Sequence, residues 1–154
     1  MHRHMKIASL AGCIAVGAAI AWPVGAQYAK PEDAVKYRKA AFTVMNSHMG
    51  RISSQLKSPT PNMQVIQSSA QTVESMSKLP WDAFAPNTEL VADTRALPAL
   101  FKNEAKAKDL AQKMQEEVAK LNAVAKTGDA AAIRTQFNAA AKSCDNCHDD
   151  FRAK

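Results

Sequence analysis

The chain of 154 residues is long enough for one domain around a single hydrophobic core. Its net charge is +6, but no stretch combines basic with aromatic residues in the manner of a nucleic-acid-binding surface. Three cysteines exclude a disulfide framework, and no apolar run beyond the N-terminal segment is long enough to cross a membrane.

The first 26 residues have the pattern of a secretory signal peptide. Arg3 and Lys6 precede an uncharged apolar run at 7–21, and the small residues at 24–26 permit cleavage before Gln27. We therefore expect export and a mature domain of residues 27–154. Removal of the two leader bases lowers the net charge to +4.

A second interpretation of this leader is a lipoprotein signal, because residues 10–13 end in Cys13 and resemble a lipoprotein cleavage box. The apolar stretch before Cys13 is very short, and residues 14–22 remain apolar where a mature lipoprotein needs a polar tether. The pattern favours the soluble secretory signal, whose removal also removes Cys13.

Proline and glycine divide the mature chain into four predicted helices. They cover residues 31–57, 61–79, 98–126 and 129–152, with a longer connection at 80–97. Thr60 is the predicted N-cap of the second helix, Gly128 ends the third, and Asp129 caps the fourth.

Each predicted helix carries an apolar stripe with a seven-residue rhythm. Four such stripes, joined by two short turns and one longer loop, predict an all-α fold: an antiparallel up-down-up-down four-helix bundle. Cys144 and Cys147 lie on the stripe of the last helix, between Ala140 and Phe151. Their side chains should therefore face the inside of the bundle.

Arg38 interrupts the stripe of the first helix one turn before Phe42. A charge on a core-facing position is costly unless it is paired. Arginine suits bidentate pairing with a carboxylate, so we expect Arg38 to pair with one. The alternative is an arginine that reaches solvent at the end of the bundle.

The case for haem rests on the motif Cys144-x-x-Cys147-His148. This spacing is the attachment signature of haem c, with two thioether bonds and an axial imidazole. On a helix the three side chains share one face. A redox dithiol does not explain the adjacent histidine, and a zinc site lacks ligands, since His48 is the only other histidine outside the leader. We expect one haem c per chain, attached in the periplasm, and we assign Arg38 to one of its two propionate carboxylates.

The mature chain resembles the cytochrome c′ family, the class II c-type cytochromes. The resemblance is carried by the motif with the following Phe151 and Arg152, by the opening residues 27–38, and by Leu79-Pro80-Trp81 with Phe84. Ordinary class I cytochromes c carry this motif near the N-terminus and use a downstream methionine, whereas only residues 149–154 follow it here.

The resemblance implies a role for several further residues. It places Phe42 over the open side of the iron, so His148 becomes the only protein ligand of a five-coordinate haem. It places Arg152 beside the histidine, and a loose loop match implies a haem contact for Asp93. It also implies binding of nitric oxide and carbon monoxide, and a homodimer formed through the first two helices.

Three functions compete at this point: a gas-binding haem protein, an electron carrier with an unknown redox partner, and a weak haem peroxidase. The second needs a sixth ligand for a six-coordinate haem, for which the candidates are His48, Met45, Met49, Met63, Met76 and Met114. Methionine at helical spacing is more often core filler, and we expect His48 on the surface. No distal histidine stands beside an arginine to cleave a peroxide, so we expect no enzyme.

Overall fold

The computed structural model describes residues 28–154; the predicted signal peptide, its cleavage site and Cys13 lie outside this range. The described chain forms helices α1 to α5, which are Pro31–Lys57, Met63–Met76, Pro98–Lys102, Glu104–Ala125 and Ala130–Phe151. Within 28–154 there is no β-strand. The four long helices α1, α2, α4 and α5 form one bundle, which confirms the predicted all-α architecture.

The first helix has the predicted bounds because its ends are strongly marked in the sequence. Pro31 occupies the first turn, where a missing N–H costs nothing, and Glu32 and Asp33 complement the positive helix N-terminus. The helix ends at Lys57, and Ser58 is extended ahead of Pro59. Proline disfavours the helical conformation of the residue before it, which explains why the helix ends here.

The second helix is shorter than predicted, running over Met63–Met76 rather than 61–79, and Thr60 is not its cap. Asn62 caps it, since its side-chain Oδ1 accepts the N–H of Val65 at 3.2 Å. The Asn62 N–H is itself bonded to Oε1 of Gln55 at 2.8 Å, which fixes the turn between α1 and α2.

The predicted third helix is in fact two helices, α3 and α4, separated by Asn103. Asn103 has φ −127° and ψ 49°, and its Nδ2 donates to the carbonyl of Ala99 at 2.9 Å. Asparagine competes in this way for helical carbonyls, which closes α3 after five residues.

The predicted turn into the last helix is confirmed. Gly128 has φ 75°, a conformation that glycine adopts without steric cost, and Oδ1 of Asp129 accepts the N–H groups of Ala131 and Ala132. This turn sets α5 antiparallel to α4 and fixes which face of α5 points inward.

The core runs the length of the bundle and draws on all four long helices. Ile52, Ile66, Leu121 and Ile133 are fully buried in it. Phe42, Trp81, Phe137 and Cys144 are partly buried and pack against its surface. None of the helices in the described part of the chain is long and apolar enough to span a membrane.

Candidate functional site

The two motif cysteines lie in the last two turns of α5. Both are half-buried free thiols, and Cys144 packs against the hydrophobic core. Burial raises the pKa of both thiols. The carboxylate of Asp145 raises the pKa of Cys144 further, and that of Asp150 does the same for Cys147. Both thiols therefore stay protonated.

His148 follows at the edge of the bundle, with part of its surface exposed. Partial burial lowers the pKa of the imidazole, and the charge of Arg152 lowers it further. The carboxylates of Asp145 and Asp149 raise the pKa and offset part of this shift. The neutral ring, the form that ligates a metal, is thereby favoured. A surface cavity of about 360 Å³ lies beside it, lined by Asp145, His148, Asp149, Arg152, Ala153 and Lys154.

This donor set suits haem c better than a bare metal ion. Two thiols and one neutral imidazole share a helix face, which is what two thioether bonds and one axial ligand need. Zinc needs three or four protein ligands together. Within 28–154, no three His, Cys, Asp or Glu side chains are grouped to hold a metal ion.

Phe42 is half-buried and belongs to an aromatic cluster formed by α1 and the connection that follows α2. Its ring centroid lies 6.0 Å from that of Trp81 in an edge-to-face arrangement and 6.3 Å from that of Phe84. Trp81 and Phe84 stack on each other at 6.0 Å. The indole N–H of Trp81 is used locally, donating to the carbonyl of Ser77 at 2.6 Å. The cluster therefore presents carbon edges and no free hydrogen-bond donor.

Arg38 is buried, with 3% of its surface exposed, so the alternative of an arginine reaching solvent does not describe it. Its Nη1 donates to the carbonyl of Ala83 and to Oγ1 of Thr88, both at 2.8 Å, and its Nη2 donates to Oγ1 of Thr94 at 2.5 Å. The guanidinium also lies 4.5 Å above the ring of Phe84. Burial lowers its pKa, partly offset by the charge of Glu89.

These contacts leave part of Arg38 available. A guanidinium has five N–H groups, and the three bonds above leave Nε and one proton of Nη2 for another acceptor. Pairing with a propionate stays a prediction that this arrangement permits. Asp93 is highly exposed and forms an ion pair with Lys39, so its implied haem contact also stays a prediction.

The candidate sixth ligands are dispersed. Met45 and Met114 are buried in the core, and Met49, Met63 and Met76 pack against it. His48 is half-buried rather than fully on the surface, and its Nδ1 is enclosed without a hydrogen-bond partner. The methionines thus have packing roles that account for their presence.

Sequence reasoning missed the partners of Arg38 and the attachment of the connection to the C-terminus. Thr88 and Thr94 lie in a loop with no periodic pattern, where nothing in the sequence distinguishes them from surface residues. Ala96 pairs with Arg152 in a single antiparallel bridge, which joins this loop to the residues that follow His148. Only the aromatic cluster had a signal, the Pro-Trp-x-x-Phe sequence at 80–84.

Comparison with known proteins finds a matching family and similar members of it. The family profile described as cytochrome C′ matches residues 33–152. Cytochrome c′ of Alcaligenes xylosoxydans xylosoxydans is 40% identical over 129 residues, which cover 83% of this chain and 99% of that protein.

Solved structures agree in fold. The nitric oxide complex of a single-residue variant of cytochrome c prime from Alcaligenes xylosoxidans has a TM-score of 0.76 and 39% identity, covering 83% of this chain and 99% of its own. A cytochrome c′ described for ligand-controlled dimer dissociation has a TM-score of 0.78 and 28% identity, covering 81% and 98%.

Proposed function

Because the chain belongs to the cytochrome c′ family, whose members carry covalently bound haem c, we propose that it is a five-coordinate gas-binding cytochrome exported to the periplasm. When bound, the haem supplies an iron that exchanges one electron and offers an open coordination position. The remaining chemistry is set by side chains of this chain.

His148 is the proposed axial ligand, and the two preceding cysteines are the proposed attachment points. Their support is the spacing on α5 and the inward placement of Cys144, combined with the lowered pKa of the imidazole. Phe42 on α1 and Cys144 on α5 each pack against the hydrophobic core, and we propose that a haem held by α5 lies beside Phe42.

The observation that carries the gas-binding proposal is the aromatic cluster around Phe42. Its rings have neither a ligating atom nor a free donor, so they would supply no sixth ligand and no hydrogen bond to bound dioxygen. The guanidinium of Arg38 lies over Phe84, but it is bonded to the connection and its free N–H groups are assigned to a propionate. Nitric oxide and carbon monoxide need no such donor. A cytochrome c′ at 39% identity has been solved with nitric oxide, which supports the same ligand here.

Electron transfer is a second candidate function, since any haem c can accept one electron from a redox partner. It becomes the better account if a methionine reaches the iron. Peroxidase activity has no support at the proposed distal side, because Phe42, Trp81 and Phe84 offer no acid–base group there.

The absorption spectrum of the purified holoprotein tests this proposal. We expect a high-spin spectrum in both oxidation states and a carbon monoxide adduct on reduction, without a stable dioxygen adduct. A low-spin reduced spectrum with a methionine–iron band would overturn the gas-binding proposal and favour electron transfer.

We also propose a homodimer through the outer face of α1 and α2. Tyr37 and Val44 are exposed large apolar residues on α1, seven positions apart and so on one face. A relative at 28% identity is described by its ligand-controlled dimer dissociation. Sedimentation at micromolar concentration, with and without carbon monoxide, should give a dimer mass in the absence of gas; a monomer mass throughout refutes this.

A further inference from the structure

The C-terminal residues after α5 are held by the connection that precedes α3. The Leu97 N–H donates to the carbonyl of Phe151 at 2.9 Å, and the Ala153 N–H donates to the carbonyl of Arg95 at 2.8 Å. These two bonds flank the antiparallel bridge between Ala96 and Arg152. The segment that begins three residues after His148 is therefore fixed by partners outside its own helix.

One side chain adds to this pairing. Nη2 of Arg95 donates to the carbonyl of Ala153 at 2.7 Å, so Arg95 holds Ala153 through both its backbone and its guanidinium. The backbone of Arg152, between Phe151 and Ala153, cannot leave its place beside the cavity without breaking these bonds. Both Arg152 and Ala153 line the cavity beside the imidazole.

The opposite end of the same short segment is tied to α1. Thr94, the neighbour of Arg95, accepts Nη2 of Arg38, and its hydroxyl oxygen also accepts the N–H of Ala96 at 3.1 Å. Arg38 lies one helical turn before Phe42. A segment of four residues, 94–97, thus connects the helix that carries Phe42 to the residues that follow His148.

We propose that Arg95 is a positioning residue for His148, holding the 151–153 segment, and with it Arg152, against the exposed side of the imidazole. The inference rests on the proposed axial role of His148. Arg95 itself is exposed, and its hydrogen bond is to the carbonyl of Ala153 rather than to the histidine. Its charge also acts directly on the imidazole, so the test must separate this charge effect from the positioning of the segment. Loss of this contact should leave the bundle intact but change the environment of the axial ring.

The test uses three variants of the holoprotein. Arg95→Met removes the donor and the charge, Arg95→Lys keeps the charge and one donor, and Lys154→Met is the matched control. Lys154 lines the same cavity and carries the same charge, but it makes no bond to the connection in the described structure. Each variant is compared by the iron–histidine stretching band of the reduced protein, by its midpoint potential, and by hydrogen–deuterium exchange of the C-terminal peptide.

In Arg95→Met we expect a shifted and broadened iron–histidine band, a changed midpoint potential, and exchange of the C-terminal peptide faster by roughly fivefold, the factor of one lost hydrogen bond. Arg95→Lys should restore most of each value, and Lys154→Met should match the wild type. Faster exchange with an unchanged band and potential overturns the proposal, since Arg95 then serves only the backbone. An equal effect of Lys154→Met also overturns it, as a general charge effect. A shift of band and potential in Arg95→Met that vanishes at about 1 M salt, where exposed charges are screened, overturns it as a direct effect of the Arg95 charge.

This outcome is distinguishable from failure of the proposed function. If the wild type proves six-coordinate with methionine, the gas-binding proposal fails, but His148 stays axial. The midpoint potential and the peptide exchange then still decide the role of Arg95 by the same comparison of variants.

Discussion

Replacement of Phe42 by alanine tests whether this ring covers the iron. In the described structure its edge contacts are with Trp81 and Phe84, at centroid distances of 6.0 and 6.3 Å. An incoming diatomic ligand must move the ring from its rotamer, at about 1 kcal/mol, and loosen one aromatic contact, at about 1 kcal/mol. Removing the ring should therefore raise carbon monoxide affinity by roughly 30-fold, the factor that corresponds to about 2 kcal/mol.

Stability should fall at the same time, because the ring packs against the core. A fully buried phenylalanine costs about 3–5 kcal/mol on truncation; since Phe42 is half-buried, we expect about 2 kcal/mol. The assays are carbon monoxide titration of the reduced protein and chemical denaturation of the holoprotein.

The matched control is Asn46→Ala, four positions along α1 at an exposed position outside the proposed dimer face. It should change neither carbon monoxide affinity nor spin state. Phe42→Met should supply a thioether and give a low-spin six-coordinate haem. Unchanged carbon monoxide affinity in Phe42→Ala would refute the reasoning, because Phe42 would then be a core residue remote from the iron.

Three further predictions concern attachment, the connection and pH. The holoprotein should retain its haem in acid-acetone and exceed the mass of the mature chain by one haem, whereas replacing both motif cysteines by serine should yield extractable haem. Arg38→Met should destabilise the protein by about 3 kcal/mol in denaturant, because it strands buried acceptors in the connection, while Arg51→Met on the exposed face of α1 should have little effect. Hydrogen bonds from Lys120 and Gln136 lower the pKa of Glu117 in the folded protein. Its contribution to the free energy of unfolding is therefore present above its unfolded pKa and is lost as the pH falls through the lower folded pKa. Glu117→Gln should remove this acid-side pH dependence of stability, as measured by urea titrations.

Those parts of the fold with strong local signals could be predicted from the sequence. Helix α1 has the predicted bounds because proline marks both ends, and Asp129 caps α5 after a glycine with positive φ. The prediction of a single third helix was wrong because the break depends on one side chain. Asparagine occurs both within helices and at their ends, and here the hydrogen bond from Asn103 to the carbonyl of Ala99 ends the helix. The cap of α2 was misplaced for a similar reason, since two polar residues near Pro61 could each have served.

The site divides along the same line. The spacing of the motif predicts that the two cysteines share one face of α5, and the apolar stripe predicts that this face points into the bundle. Arg38 was visible in the sequence as a charge in an apolar stripe. The loop residues that accept its hydrogen bonds, however, are 45 to 56 positions away in the chain. Such long-range partners follow from how the connection folds back, which no local pattern encodes.

The connection at 80–97 contacts both sides of the proposed haem site and is therefore part of it. Trp81 and Phe84 at its start pack on Phe42, Thr94 near its end accepts Arg38, and Arg95 pairs with the residues beyond His148. The start of the loop is held by apolar packing of Trp81 and Phe84, and the part around Thr88 and Thr94 is held by hydrogen bonds from Arg38. Because those bonds converge on Arg38, a change at this one residue should disturb both the cover at Phe42 and the support of His148. The two faces of the proposed haem site are in this sense linked by a single loop.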